Sequence, residues 1–468
     1  MKDMWGRCRN TFGWFRNRFG RNREANIFLV IALCTGIAMA VINPPFHECD
    51  AGRHHRWAMD VSYGNLLSPI INLTGHGMDV VTVPKNFYVE KYHMTEPGTG
   101  KGGEYIRYLQ TVKYSLESTE VEEDWIFTSL FYYPQAFGLF LGRTLKMSVY
   151  GVCVLSRICN LLVFLALTYG AIAITPVFKN ILAVIALFPI TIYQAASVSP
   201  DSMLNGLCFL FVSVCFCYAY GKREHLDWRA AIKLGVILAA ICMCKYVYAC
   251  LGMLVFLIPK KRFGTKKEYW RCFVIACLPL AVAMVFGMMN AKHTITVGQS
   301  FGSVDGMTQL QYLMKNPFFI IEILLRTMRY KFNDYMLWLN TLGALNYELG
   351  PLVYMVPMFA VFVGCLDQNE ASAGIKVRDK FLCFGTFLLI SIGVVLGIYI
   401  GDGKANPLGA EIVQGVQGRY FIPAIPVFFA AISSSKVKNR IRNFTAKAMS
   451  GMGIFLLYAV FRLYRYCF

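Results

Sequence analysis

The chain has 468 residues, 56% hydrophobic and 15% aromatic with only 16% charged, whereas soluble domains carry about a quarter charged residues. That balance excludes a soluble globular fold of this length. The formal net charge of +19 would suit nucleic acid, but the basic residues lie in short runs between apolar stretches, the positive-inside signature of a polytopic membrane protein, and this excludes nucleic acid as the partner.

From the amino terminus, seven basic residues (Lys2, Arg7, Arg9, Arg16, Arg18, Arg21 and Arg23) precede the apolar run 27–42. Asn43, Pro44 and Pro45 end the run and no small-residue cleavage site follows. The sequence therefore predicts an uncleaved first helix behind a basic cytoplasmic segment, 1–25. The aromatics of that segment suit a helix lying on an anionic leaflet; an unstructured basic tail is the alternative.

The segment 44–127 carries twelve acidic against seven basic residues, the reverse of the basic runs, and is expected outside. It opens on HECDAGRHHRWAMD, which packs His47, Glu48, Asp50, His54, His55 and Asp60 against the membrane. A carboxylate here can take a proton from a sugar hydroxyl or hold a divalent cation, and ordinary interfacial polarity is the bland alternative. The glycine-rich 98–103 reads as a mobile tip, because no strand-loop-helix context surrounds it. The aromatic stretch 125–146 reads as an interfacial helix.

Further apolar spans are expected at 150–174, 180–198, 203–220, 230–258, 272–290, 351–366, 381–400, 420–435 and 450–466. Basic runs flank 230–258 on both sides: Lys222, Arg223 and Arg229 before it, and Lys260, Lys261, Arg262, Lys266, Lys267 and Arg271 after it. Both flanks belong inside, so the stretch is expected to be a tight hairpin with its apex near Lys245. About eleven transmembrane helices follow, in an all-α polytopic architecture with a second long outer loop at 291–350. Cysteines are concentrated in the apolar spans, where they act as small hydrophobes, and neither a disulfide framework nor a zinc site is expected.

Ionisable groups at membrane depth are costly and by default carry a function or a partner. Lys245 at the hairpin apex can bind a lipid phosphate or snorkel to the outer interface. Asp201, in Ser199-Pro200-Asp201, can bind substrate or cap the helix that begins there. Arg419, in QGRYFIPAIP, suits phosphate oxygens or interfacial anchoring.

Taken in order, Pro44-Pro45-Phe46 with Asp50 and His54, YYPQAFGLFLGR, Ser156-Arg157 with Asn160, the SPD, GVILAAICMCKY and QGRYFIP resemble the bacterial membrane-protein family called domain of unknown function 2142. That family is related to the C-type (GT-C) fold of glycosyltransferases that use polyprenyl-phosphate sugars. The resemblance implies one GT-C-like domain over 26–466 in the bacterial cell membrane. It implies Asp50 or Glu48 as the base, His54, Asp201, Lys245 and Arg419 as substrate-binding residues, and no cofactor beyond a divalent cation. Asp50-Ala51 stands where the family commonly has Asp-Glu, with Glu48 two residues earlier. The implied partners are a polyprenyl-phosphate-linked sugar, an extracytoplasmic glycan acceptor and membrane lipids. A non-catalytic assembly partner and a lipid-linked-sugar flippase are the competing expectations.

Overall fold

The computed structural model describes residues 22–66, 80–87, 101–123, 129–223, 225–298, 306–344, 346–367, 374–434, 436–437 and 439–468. The expected surface helix of the basic segment, the glycine tip at 98–100 and the start of the expected interfacial helix at 125–128 lie outside them. The described chain is mostly helical. Among the described residues six helices are long and apolar enough to cross a membrane: Arg23–Ile42, Val149–Ile174, Asp201–Tyr220, Lys266–Val285, Val377–Gly401 and Phe444–Cys467. Shorter apolar helices, Tyr246–Leu257, Leu352–Leu366 and Gly418–Ile432, accompany them.

The expected span 180–198 is not one helix. It divides into Lys179–Ala186 and Pro189–Ala195, because Pro189 has no amide hydrogen to continue the ladder and disfavours helical geometry at Phe188. Both pieces are buried, so surrounding protein rather than lipid meets the interrupted backbone.

The 230–258 stretch reverses at Lys245. Helix Trp228–Cys244 leads in and a 3-10 helix, Tyr246–Leu257, leads out. The two ends meet again where the Leu226 amide donates to the Arg262 carbonyl at 2.8 Å, and Arg262 Nη2 donates to the Gly221 carbonyl at 2.8 Å. The arms match in length despite unequal residue counts: 17 α-helical residues at ~1.5 Å each cover about 25 Å, and 12 residues of 3-10 helix at ~2.0 Å each cover about 24 Å. The two basic flanks are thereby neighbours.

The first long loop forms a packed layer of its own. Helix Ala51–Ser62, helix Gly102–Thr111 and an antiparallel pair of strands, Val80–Pro84 and Ser118–Glu122, enclose Trp57, Val81, Val83, Phe87, Tyr105 and Leu109. This second apolar core rests on Val149, Val152 and Cys153 at the start of helix Val149–Ile174. Helix Tyr133–Thr144 covers it with Ala136 and Leu139 while exposing Phe137 and Phe140, the one-sided pattern of an interfacial helix. The segment expected to be a second polar loop contains a 22-residue helix, Pro317–Trp338.

Gly102 corrects the expected tip, since it begins a helix and is buried there. A Cβ at this position would lie 2.5 Å from the Cys467 carbonyl oxygen, so the glycine permits close contact with the carboxyl-terminal helix rather than mobility.

Candidate functional site

Asp201 is the first residue of its helix, but Pro200 holds the N-cap position and no side chain caps the helix. The carboxylate is used otherwise. Lys245 Nζ donates to Asp201 Oδ1 at 2.7 Å, and Gln194 Nε2 donates to Oδ2 at 2.9 Å. The reversal in the hairpin delivers Lys245, whose Nζ also lies 4.7 Å from the centre of the Tyr420 ring.

Arg419 sits in the first turn of the 3-10 helix Gly418–Ala424, with its side chain 6% exposed. Its Nη1 lies 3.8 Å from Asp201 Oδ2 and its Nη2 lies 3.8 Å from Asp50 Oδ2. Both separations exceed hydrogen-bond range. Arg419 Nε is buried and has no hydrogen-bond partner among the described residues. Asp50 adopts a left-handed backbone (φ 55°) immediately before helix Ala51–Ser62, and its side chain is 61% exposed. The fold thus gathers Asp50, Asp201, Lys245 and Arg419 from four distant parts of the chain into one cluster of balanced formal charge.

His54 stands behind this cluster, its Nδ1 2.8 Å from the Tyr132 hydroxyl. Burial pushes its pKa down to about 3; the Asp201 carboxylate opposes this, and the cations Arg419 and Lys245 add to it. His54 is therefore a neutral hydrogen-bonding group.

Glu48 goes elsewhere. It pairs with Arg157, both side chains being buried, and Arg157 also donates to the carbonyls of Ala40 (3.0 Å), Asn43 (2.5 Å) and Pro44 (3.1 Å). The guanidinium thereby satisfies carbonyls left open where the first helix ends. Asp50, by contrast, is accessible. The two acids that sequence leaves open are therefore in different environments.

Gln194 in the cluster and Arg157 beside Glu48 were given no role by sequence reasoning, Arg157 entering only as part of a family pattern. Arg157 carried a signal, an arginine within the apolar span 150–174. Gln194 carried only a weak one, a lone amide in an otherwise apolar stretch.

One small space adjoins the cluster, and a larger one is lined by neighbouring residues of the same segments. A pocket of about 10 Å³, lined by Glu48, Cys49, Gln194, Ser199, Gly343 and Arg419, is roughly the size for one water. A cavity of about 590 Å³ is lined almost wholly by apolar groups, among them Phe188, Leu339, Phe421 and Phe428. The same three segments reach both: Phe188 and Gln194, Leu339 and Gly343, Phe421 and Arg419.

Among the described residues no group of three or more His, Cys, Asp or Glu side chains is arranged to hold a metal. The Arg419 guanidinium lies between the Asp50 and Asp201 carboxylates, where a divalent ion bridging them would sit. The donor set does not fit a resident cation.

A family model described as Predicted membrane protein (DUF2142) matches residues 33–428. No curated protein and no solved structure matches the chain.

Proposed function

The chain belongs to the DUF2142 family of predicted membrane proteins, and from that premise we propose that it is a membrane glycosyltransferase. The reaction moves a sugar from a polyprenyl-phosphate donor to an extracytoplasmic acceptor such as a cell-surface glycan. The observation that carries this reading is Arg419: a buried guanidinium with an unpartnered Nε, sharing Asp201 with a lysine and two residues from Phe421, which lines an apolar cavity. A planar cation with a free Nε and with its carboxylate neighbours beyond hydrogen-bond range suits phosphate oxygens, and an apolar cavity suits an isoprenoid chain.

In this reading Asp50 takes the proton of the acceptor hydroxyl as that oxygen bonds to the anomeric carbon. The bond from that carbon to the phosphate oxygen breaks, and the pair of electrons leaves with the lipid phosphate. Lys245 and Arg419 neutralise the charge gathering there. Lys245 exchanges Asp201 for phosphate when the donor arrives, and neutral His54 with Asp201 positions the sugar. The same reading takes 26–466 as one GT-C-like domain in the bacterial inner membrane, with the amino terminus inside and the site outside. Cysteine labelling on a background lacking native cysteines tests that orientation, since positions near Gly264 are expected to be shielded from outside and positions near Gly100 exposed.

The breaks at Phe188 and Lys245 favour a second reading, a flippase for lipid-linked sugars, because interrupted helices line transport sites. Titration with a polyprenyl phosphate tests what the two readings share. Hydrogen bonds to charged groups contribute ~1.5–3 kcal/mol, so Arg419→Met and Lys245→Met are each expected to weaken binding by about 10-fold or more at unchanged folded yield. Wild-type affinity in both variants would overturn both readings. A reconstituted assay then separates transfer from translocation.

A further inference from the structure

At the opposite end of the hairpin from Lys245, where its two basic flanks meet, lies a cavity of about 370 Å³. Phe256, Ile258, Lys260, Tyr269, Arg378 and Leu382 are among its lining residues. They come from the end of the 3-10 arm, the turn after it, helix Lys266–Gly298 and helix Val377–Gly401. Lys260 Nζ is 5.3 Å from the centre of the Tyr269 ring, and Arg378 Nη2 lies 3.4 Å from the Phe256 carbonyl oxygen. Arg378 also donates to Asp379 Oδ1 from Nε and Nη2, at 3.2 and 3.1 Å, which offsets part of its charge. The surplus stays positive: residues 260–268 and 376–380 together hold eight Lys and Arg against two acids.

Both flanking helices present apolar faces beside this charge. Trp270, Val274 and Leu278 are exposed on one, and Val377, Phe381, Phe384 and Leu388 on the other. Spacings of three and four residues put each set along one side of its helix. A ligand matching the whole arrangement has an anionic head and apolar tails. Both helices are long and apolar enough to cross a membrane, so their exposed faces meet acyl chains, and a lipid is the phosphate-bearing ligand already at hand there.

We propose that this cavity binds the headgroup of an anionic phospholipid, with the acyl chains along those two helix faces. The site is separate from the Asp50–Arg419 cluster and does not depend on the reaction proposed there. It would anchor the base of the hairpin whose apex carries Lys245.

The test uses the full-length protein in detergent, offered equal amounts of phosphatidylglycerol and phosphatidylcholine, with bound lipid read by native mass spectrometry. Wild type is expected to retain phosphatidylglycerol in preference. One Lys or Arg near an anionic surface contributes about fivefold in affinity. The double variant Lys260→Ala/Arg378→Gln should therefore lose at least about fivefold of the preference. Lys266→Ala/Lys267→Ala removes the same formal charge from residues outside the lining and should keep it. Leu382→Trp, which fills the cavity and leaves the charges in place, should lower it and serves if the double variant folds poorly. Equal losses in the two charge variants would reduce the site to diffuse attraction, and an unaffected Leu382→Trp would remove the cavity from the account; either overturns the proposal. So would soluble glycerophosphoglycerol binding as tightly as the whole lipid, since that would identify a site for free phosphate esters.

Discussion

Glu48 and Arg157 form an ion pair with side chains 5% and 0% exposed, joining the start of the first loop to the third turn of helix Val149–Ile174. Removing one member strands the other, at ~3–5 kcal/mol for a buried pair, whereas removing both is far less damaging. Arg157 additionally serves the Ala40, Asn43 and Pro44 carbonyls, so the two members are unequal. Arg157→Met is expected to lower the unfolding temperature more than Glu48→Gln. The double variant Arg157→Met/Glu48→Gln should be more stable than the sum of the single losses implies. Thermal unfolding of purified protein in detergent measures all three.

His54 and His55 predict a pH dependence. Burial lowers both, to about 3 for His54 and about 4 for His55, with Glu48 opposing the shift at His55. Each lies below the unfolded value near 6.5, so between those limits the unfolded chain binds protons that the folded chain does not. Stability from this source is complete well above pH 6.5 and is lost as pH falls, with a slope that rises to ~1.4 kcal/mol per unit per histidine in the middle of the window. The unfolding temperature should fall with increasing steepness from about pH 6.5 to pH 5, and His55→Gln should flatten the slope by about half. A slope identical to wild type would remove His55 as a source.

Gly102 gives a local test of packing. A methyl group placed 2.5 Å from the Cys467 carbonyl forces backbone apart, and overpacking of this kind costs about 1–3 kcal/mol. Gly102→Ala should lower the unfolding temperature. Gly264→Ala, where no atom lies within 4 Å of the added carbon but φ is +74°, should do so through backbone strain alone.

What could be read in the sequence follows from the range of the forces involved. Apolar length and basic flanks are local, so the long helices and the reversal at Lys245 were legible, the latter because Lys222 and Lys260 both demanded one side. Lys245, Asp201 and Arg419 stood out singly as charges in apolar surroundings. Their convergence did not, since Asp201 and Arg419 are separated by more than two hundred residues of helix packing. Glu48 and Asp50 looked alike because they share a short loop. Only the packing of that loop against Arg157 buries one and leaves the other 61% exposed. Gly102 was misread because glycine written in a run signals flexibility, while the same residue facing a carbonyl signals contact.

The exposed acid decides whether the cluster does chemistry. Asp50 lies 3.8 Å from Arg419, close enough to be steered by it and open enough to meet an acceptor hydroxyl. A general base contributes about 10²–10⁴ in rate, and Asn keeps the shape of Asp without accepting the proton. Asp50→Asn is therefore expected to bind the polyprenyl-phosphate donor as wild type does while turnover in reconstituted membranes falls by about that factor. Glu48→Gln is the necessary partner experiment: its loss should appear as less folded protein, with turnover per folded molecule largely kept. Reversal of these two outcomes would move the base to Glu48 and make the Arg157 pair part of the reaction. Undiminished turnover in both would take the first-loop acids out of the chemistry. If wild type translocates lipid-linked sugar but transfers none, and Asp50→Asn translocates as well as wild type, Asp50 is a structural neighbour of Arg419 and the flippase reading takes over the cluster.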